Sequence, residues 1–239
     1  VPFKLNPIQD KFVQEATGKD IILKGRQMGF SSFILASFTK DFIFKENSLS
    51  VVVADISDNA LDLLARVKGY IKAFEHVNNV KIPLKYNSKY ELQNGANGAR
   101  YIIGTAENTE FGRSKTITNL HFSEAAFYKH FEKLLAGAGT ALVPNGKFVI
   151  ETTANGFNSF KSFYNESELG ETDFTAHFYP SQDFYDAEFL EREKKRLGRL
   201  FDQEHPSSAE IAFITSGETY FDSEAMRYYL ENTKEPMKV

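Results

Sequence analysis

The amino-acid sequence predicts an α/β fold, with a mostly parallel central sheet flanked by helices and a small helical lid after it. Three observations carry that expectation. Short, nearly continuous apolar runs recur at 21–23, 51–54, 101–103, 119–122 and 148–152, as expected of strands buried on both faces. Segments of helical spacing lie between them, at about 31–45, 58–74 and 124–136. Strands alternating with helices build parallel sheets covered on both sides.

Taken in order, the first run leads through a glycine-containing turn into a helix whose Phe30, Ile34, Phe38 and Phe42, four apart, form one buried stripe. A second helix covers 58–74. The polar, Asn/Gly-rich stretch 83–98 reads as a hairpin or loop. Beyond about residue 180 the texture changes: 186–200 is a charged helix, 205–208 a break, and 223–232 a last helix. The expected division is a core over 1–180, then a lid over 181–239 that runs into the start of a linker. No internal repeat or low-complexity tract is present.

Composition narrows the class. Among 239 residues there is no cysteine, which removes disulfides and thiolate metal sites. No run approaches the ~18 apolar residues of a membrane span, and the N-terminal VPFKLNPIQD lacks a signal peptide's apolar core. A cytoplasmic protein is expected. With a net charge of −4, any nucleic-acid contact must come from a local patch. The basic run 192–199 is one such patch, and reads more readily as a solvated helix face. The five histidines form no cluster at metal-ligand spacing, and His121, inside an apolar run, reads as a core residue.

The turn Lys24-Gly25-Arg26-Gln27-Met28-Gly29-Phe30-Ser31-Ser32 carries the chemistry. Strand, tight turn and helix in that order make a phosphate-binding loop, usually written G-x-x-x-x-G-K-[ST]. Aligned on Gly29 and Ser31, Lys24 stands where the first glycine belongs and Phe30 where the lysine belongs. Either the site is broken, with Ser31 an ordinary helix cap, or the lysine comes from the other end of the loop. Such a loop curls around its anion, so its first and seventh positions approach each other. Lys24 can therefore reach phosphates held by backbone N–H groups at the helix start. Ser31 would offer its hydroxyl to Mg2+.

Four further groups fit a nucleotide site. Glu124 ends the run 119–122 after Ser123 and can deprotonate an attacking water; a capped helix start explains the same pair. The common motif has Asp where Ser123 stands. Thr152-Thr153-Ala154-Asn155-Gly156 follows another strand, and its hydroxyls and amide can sense a γ-phosphate or simply close a turn. The amide of Gln9 can read an adenine edge. Arg113, eleven residues before Glu124 on a glycine-flanked loop, can act as an arginine finger. Taken singly, Gln9 and Arg113 also read as ordinary surface side chains.

Together, LNPIQ, KGRQMGFSS, GTAEN…FGRS, LHFSEAAF and ETTANG resemble the large terminase subunit of tailed bacteriophages, over about residues 5–222. The lysine at the loop start, the aromatic before the serine and the Ser-Glu pair are similar to variants of that family. The resemblance implies an additional-strand, catalytic-glutamate (ASCE) P-loop ATPase, a motor that packages double-stranded viral DNA into a procapsid in the infected bacterial cytoplasm. ATP and Mg2+ are the implied cofactors, and DNA, a portal protein and a small terminase subunit the implied partners. A ring is the implied working state, with a monomer possible for the isolated domain. The family's nuclease is expected to lie outside this chain, so no nuclease activity is expected from it.

By position, the resemblance gives Lys24 to the β- and γ-phosphates and Arg26 to a phosphate contact or a finger in cis. It gives Ser31 to Mg2+, with Glu124 acting on that ion through water and activating the nucleophile. Thr153 and Asn155 fall in the coupling motif, Gln9 at adenine, and Arg113 as a finger toward a neighbouring subunit. A helicase-like ATPase of the same fold and a catalytically inactive nucleotide-binding assembly module are the competing readings. The first usually keeps the lysine and the Asp-Glu pair; the second would carry just such departures as Phe30 and Ser123.

Overall fold

The apolar runs become strands of one eight-stranded sheet, in the order β3-β4-β5-β2-β6-β7-β1-β8. The computed structural model describes residues 3–111, 115–216 and 223–232. Helix α1 (Pro7–Glu15) precedes β1 (Lys19–Lys24) and α2 (Phe30–Phe44). Next come β2 (Leu49–Ala54), α3 (Ser57–Asn78), the hairpin strands β3 (Leu84–Asn87) and β4 (Glu91–Asn94), and β5 (Arg100–Thr105). Strand β6 (Ile117–Ser123), α4 (Phe131–Gly139), β7 (Leu142–Thr152), α5 (Ser159–Glu168) and β8 (Thr175–Tyr179) complete the sheet and its cover. Helices α6 (Ala187–Leu197), α7 (Phe201–Glu204), α8 (Ala209–Thr215) and α9 (Ser223–Asn232) follow.

Pairing from β5 through β2, β6, β7 and β1 to β8 is parallel, and only the β3–β4–β5 edge is antiparallel. Strand β7 therefore lies between the loop strand β1 and the glutamate-bearing β6, the additional-strand arrangement of an ASCE P-loop fold. Because strand side chains alternate, each strand feeds two cores. Ile21, Leu23, Val51 and Val53 pack under α4, α5 and α8, whereas Ile22, Val52 and Ala54 pack under α1, α2 and α3.

The expected stripe Phe30, Ile34, Phe38 and Phe42 is buried along α2. The expected helix over 124–136 is corrected: β6 runs through Ser123, Glu124 takes a left-handed backbone (φ 58°), and Ala125–Phe127 make one 3₁₀ turn before α4. The Tyr128 hydroxyl donates to Val53 O (2.6 Å) and Ser123 O (3.0 Å), which anchors that turn against β2 and delays the helix. Helices α1 and α5 and strand β8 were not expected. The start of α1 is a capping box, in which the Asn6 side chain accepts from Gln9 N and the Gln9 side chain from Asn6 N.

Candidate nucleotide-binding site

The loop between β1 and α2 opens on a cleft of about 560 Å³ at the carboxyl ends of the parallel strands. Ligands bind there in open α/β sheets. Gly29, with φ 80°, is the N-cap of α2, and no side chain caps that helix. The first N–H groups of α2 and its dipole thus face the cleft without a built-in acceptor. Gly29's positive φ favours glycine, and a Cβ there would come 2.9 Å from Gln9 Nε2; one on Gly25 would come 2.1 Å from Ser181 Oγ, which would have to turn away. Gln27 also takes a left-handed backbone, and Met28 is fully buried.

Lys24 closes β1 with its side chain only 5% exposed. Its Nζ lies 3.1 Å from Glu151 Oε2 and 3.4 Å from Glu124 Oε1. Burial alone would lower the Lys24 pKa; the two carboxylates overcome it and push it up to about 12. Phe30, at the position usual for lysine, turns its ring into the core against Phe12 and Tyr179. An amine there would point away from the cleft, so Lys24 is the buried cation of this loop.

Ser31 is not the helix cap. Its hydroxyl donates to Glu151 Oε1 at 2.8 Å. Ser123 likewise caps nothing; its hydroxyl donates to the same oxygen at 2.8 Å. Both capping alternatives left open by the sequence are therefore overturned. Glu151 is fully buried at the end of β7, and His121 Nε2 lies 3.3 Å from its Oε1. Burial would raise its pKa, but Lys24 first, then His121 and Ser31, hold it well below the usual carboxylate range. Sequence reasoning passed over Glu151. The available signal was a lone acid ending an apolar strand, just before the Thr-Thr pair.

Glu124 stands above this floor, about a third exposed. A left-handed non-glycine backbone carries strain that recurs at functional sites. Its Oε2 accepts from Thr153 N (3.2 Å), Thr153 Oγ1 (3.4 Å) and Thr152 Oγ1 (3.3 Å). Asn155 Nδ2 donates to Ala126 O (3.2 Å), and Gly156 N donates to Ser216 Oγ (2.8 Å). The Thr153–Asn155 turn thus joins the glutamate to the segment after α8.

The remaining expected residues are placed as follows. Arg26 lines the cleft on its outer side, 62% exposed, with Nε 2.6 Å from Glu204 Oε2. Ser32 lines it too and receives a long contact from Arg66 Nη1 at 3.5 Å. Gln9 is buried, its Nε2 donating to Gly29 O at 2.9 Å, so its amide holds the loop and does not line the cleft. Arg113 lies outside the described residues. Asp55, Asn59, Arg66 and Phe127 also line the cleft and were not singled out from the sequence.

The site is a P-loop with a buried lysine and an acid opposite an uncapped helix start. Solved structures sharpen the fold. The ATPase domain of the large terminase of Thermus phage P74-26 is 17% identical, with a TM-score of 0.65, over 85% of this chain and 93% of that one. The large terminase of bacteriophage HK97 is 15% identical, with a TM-score of 0.62, over 95% of this chain and 48% of that one. The large terminase of another thermophilic bacteriophage, in complex with ADP, is 17% identical, with a TM-score of 0.58, over 84% and 48%. This chain thus has the fold of the large-terminase ATPase domain, and spans about half the length of the longer terminases. No protein-family model and no curated protein matches the sequence.

Proposed function

We propose that the chain hydrolyses ATP to drive double-stranded DNA into a viral procapsid. The observation that carries the hydrolytic part is the placement of Lys24 Nζ between Glu124 and Glu151 beside the uncapped start of α2. The terminase solved in complex with ADP supports nucleotide as the ligand, and the terminase fold supports packaging as the use.

In this reading the β- and γ-phosphates lie against the N–H groups of residues 27–31, and Lys24 neutralises their charge. Glu124 orients a water for in-line attack on the γ-phosphorus and accepts its proton as the bond to the β,γ-bridging oxygen breaks. Its bonds from Thr153 report the change at the γ-phosphate to Asn155, Gly156 and Ser216. Mg2+, when bound, would supply positive charge against the phosphates. The residues fit it: Ser31 offers a hydroxyl beside the phosphates, oriented by the buried Glu151, whose other oxygen is paired with Lys24. Among the described residues no three His, Cys, Asp or Glu side chains form a metal cage.

Residues 1–180 serve as the motor core and 181–239 as the lid, with Arg26 exchanging Glu204 for phosphate. Arg113 acts as a finger toward a neighbouring subunit in a ring. Gln9 meets adenine only by giving up its bond to Gly29 O. DNA, portal and small terminase subunit are the partners in this account, and the infected cell's cytoplasm its setting. On α6, Lys194 and Lys195 are exposed, which suits a sequence-independent backbone contact. The test is DNA binding against salt: Lys194→Glu with Lys195→Glu is expected to flatten the salt dependence, and an unchanged slope removes this helix from the interface.

A further inference from the structure

We infer that Glu151 is the second acidic group of the nucleotide site, a positioning residue that takes over from β7 the place left without an acid at Ser123 on β6. This rests on the reading of the cleft as a Mg-nucleotide site.

The strand register makes the transfer possible. Ser123 and Glu151 are direct partners across the parallel β6–β7 pair. Adjacent strands lie about 4.8 Å apart, and partnered side chains point to the same face. An acid on β6 would project from Ser123. On β7 one more strand step brings the acid closer to β1 and the loop, and the longer glutamate side chain reaches beneath Ser31.

P-loop enzymes hold Mg2+ with the loop Ser/Thr and an acid on a neighbouring strand. A hydroxyl that donates its proton to a carboxylate has its lone pairs free for a cation, and such outer-shell acceptors orient the first ligand. Here Ser31 donates to Glu151 Oε1 at 2.8 Å, and Ser123 fixes the same oxygen from the other side at 2.8 Å. Glu151 is absent from the cleft wall and fully buried. It therefore acts on the metal through Ser31 and does not touch the nucleotide.

A purely structural role, neutralising Lys24, would need only an acid near Nζ. Glu124 already faces Nζ at 3.4 Å, so neutralisation alone does not account for Glu151, and one of the two hydroxyls on its other oxygen comes from the loop serine itself. A carboxylate buried at this depth is costly unless each partner is in place. The whole arrangement, Ser31, Ser123, His121 and Lys24, is organised around that one group.

The test measures ADP affinity with and without Mn2+, and Mn2+ binding to the protein–ADP complex by paramagnetic resonance. The proteins are the parent chain, Glu151→Gln, and the exchange Ser123→Asp with Glu151→Ser. Glu151→Gln is expected to weaken Mn2+ in the ternary complex by about tenfold or more while metal-free ADP affinity stays within about twofold. The exchange variant is expected to return Mn2+ affinity to within about threefold of the parent. Unchanged Mn2+ affinity in Glu151→Gln overturns the assignment, as does an equal loss with and without metal. If Glu151→Gln does not fold, the exchange variant decides alone: folded protein with Mn2+ binding weakened tenfold or more overturns it. A parent chain that binds no ADP overturns the nucleotide reading itself, and this assignment with it.

Discussion

Two ion pairs hang from the same nine-residue loop and behave as opposites. At its start, Lys24 is 5% exposed against a Glu151 that is wholly buried; two residues on, Arg26 is 62% exposed against a Glu204 at 19%. The first pair is fixed by the sheet, because Lys24 ends β1 and Glu151 sits on the neighbouring β7. The second joins the loop to α7, a short helix beyond the sheet. A permanent charge can be held ready in the floor, while the rim pair remains exchangeable with solvent and with an incoming phosphate. The contrast explains how a loop lacking the ordinary lysine position keeps a cation at its centre.

The largest expected effect is at the floor. Lys24→Ala leaves a buried carboxylate without its cation, and breaking such a pair costs about 3–5 kcal/mol. Urea unfolding should show that loss, and Glu151→Gln in the same chain should recover part of it; additive losses would mean the pair is not coupled. Next comes Phe30→Lys, which would restore the usual motif on paper. The ring packs against Phe12 and Tyr179, so the change should cost about 3 kcal/mol or more and should not rescue nucleotide binding in Lys24→Ala. Rescue would turn the side chain at position 30 into the cleft and reverse the comparison.

The rim predicts little. Arg26→Ala should change stability by less than about 1 kcal/mol, with a salt dependence that disappears in the variant. A loss matching that of Lys24→Ala would put the two pairs on equal footing. The smallest effect is the pH response. Lys24, raised to about 12, contributes fully below an unfolded pKa of about 10.4, and that contribution is lost as pH climbs through 12. Asp20, buried, would be raised by burial, but His177 and the N–H groups of Thr17 and Gly18 lower it. It contributes above about pH 3.9 and is lost on further acidification. Asp20→Asn should blunt the acid limb of a stability profile and leave the alkaline limb, which belongs to the floor, in place.

Much of the sheet was legible because burial on both faces writes continuous apolar runs, as in β2 and β6. Strand β8 was not: Thr175-Ala176-His177-Phe178-Tyr179 mixes polar and aromatic residues because His177 is satisfied by Asp20 only across the β1–β8 pair. Helix α1 was not expected either, although Asn6-Pro7 and Gln9 carry its signal, a capping box whose glutamine also holds Gly29. Of the site, Lys24, Ser31, Glu124 and Thr153 could be read from order and spacing, and they come together. Glu151 could not, because its role depends on which strand lies beside β6, and that neighbour is set by topology. The helix expected from Glu124 failed for a local reason. The residue that follows β6 takes a left-handed backbone, and no apolar pattern records that.

The central claim is that this variant loop hydrolyses ATP with Glu124 activating the water. The most direct test is steady-state ATP turnover with Mg2+, parent against Glu124→Gln, across protein concentration, alongside binding of a fluorescent ADP analogue. The account predicts turnover in the parent, a fall of about 10²–10⁴ in the variant, and nucleotide affinity preserved in both. Equal turnover in the two proteins, or a parent that binds nucleotide and never turns it over, would contradict it.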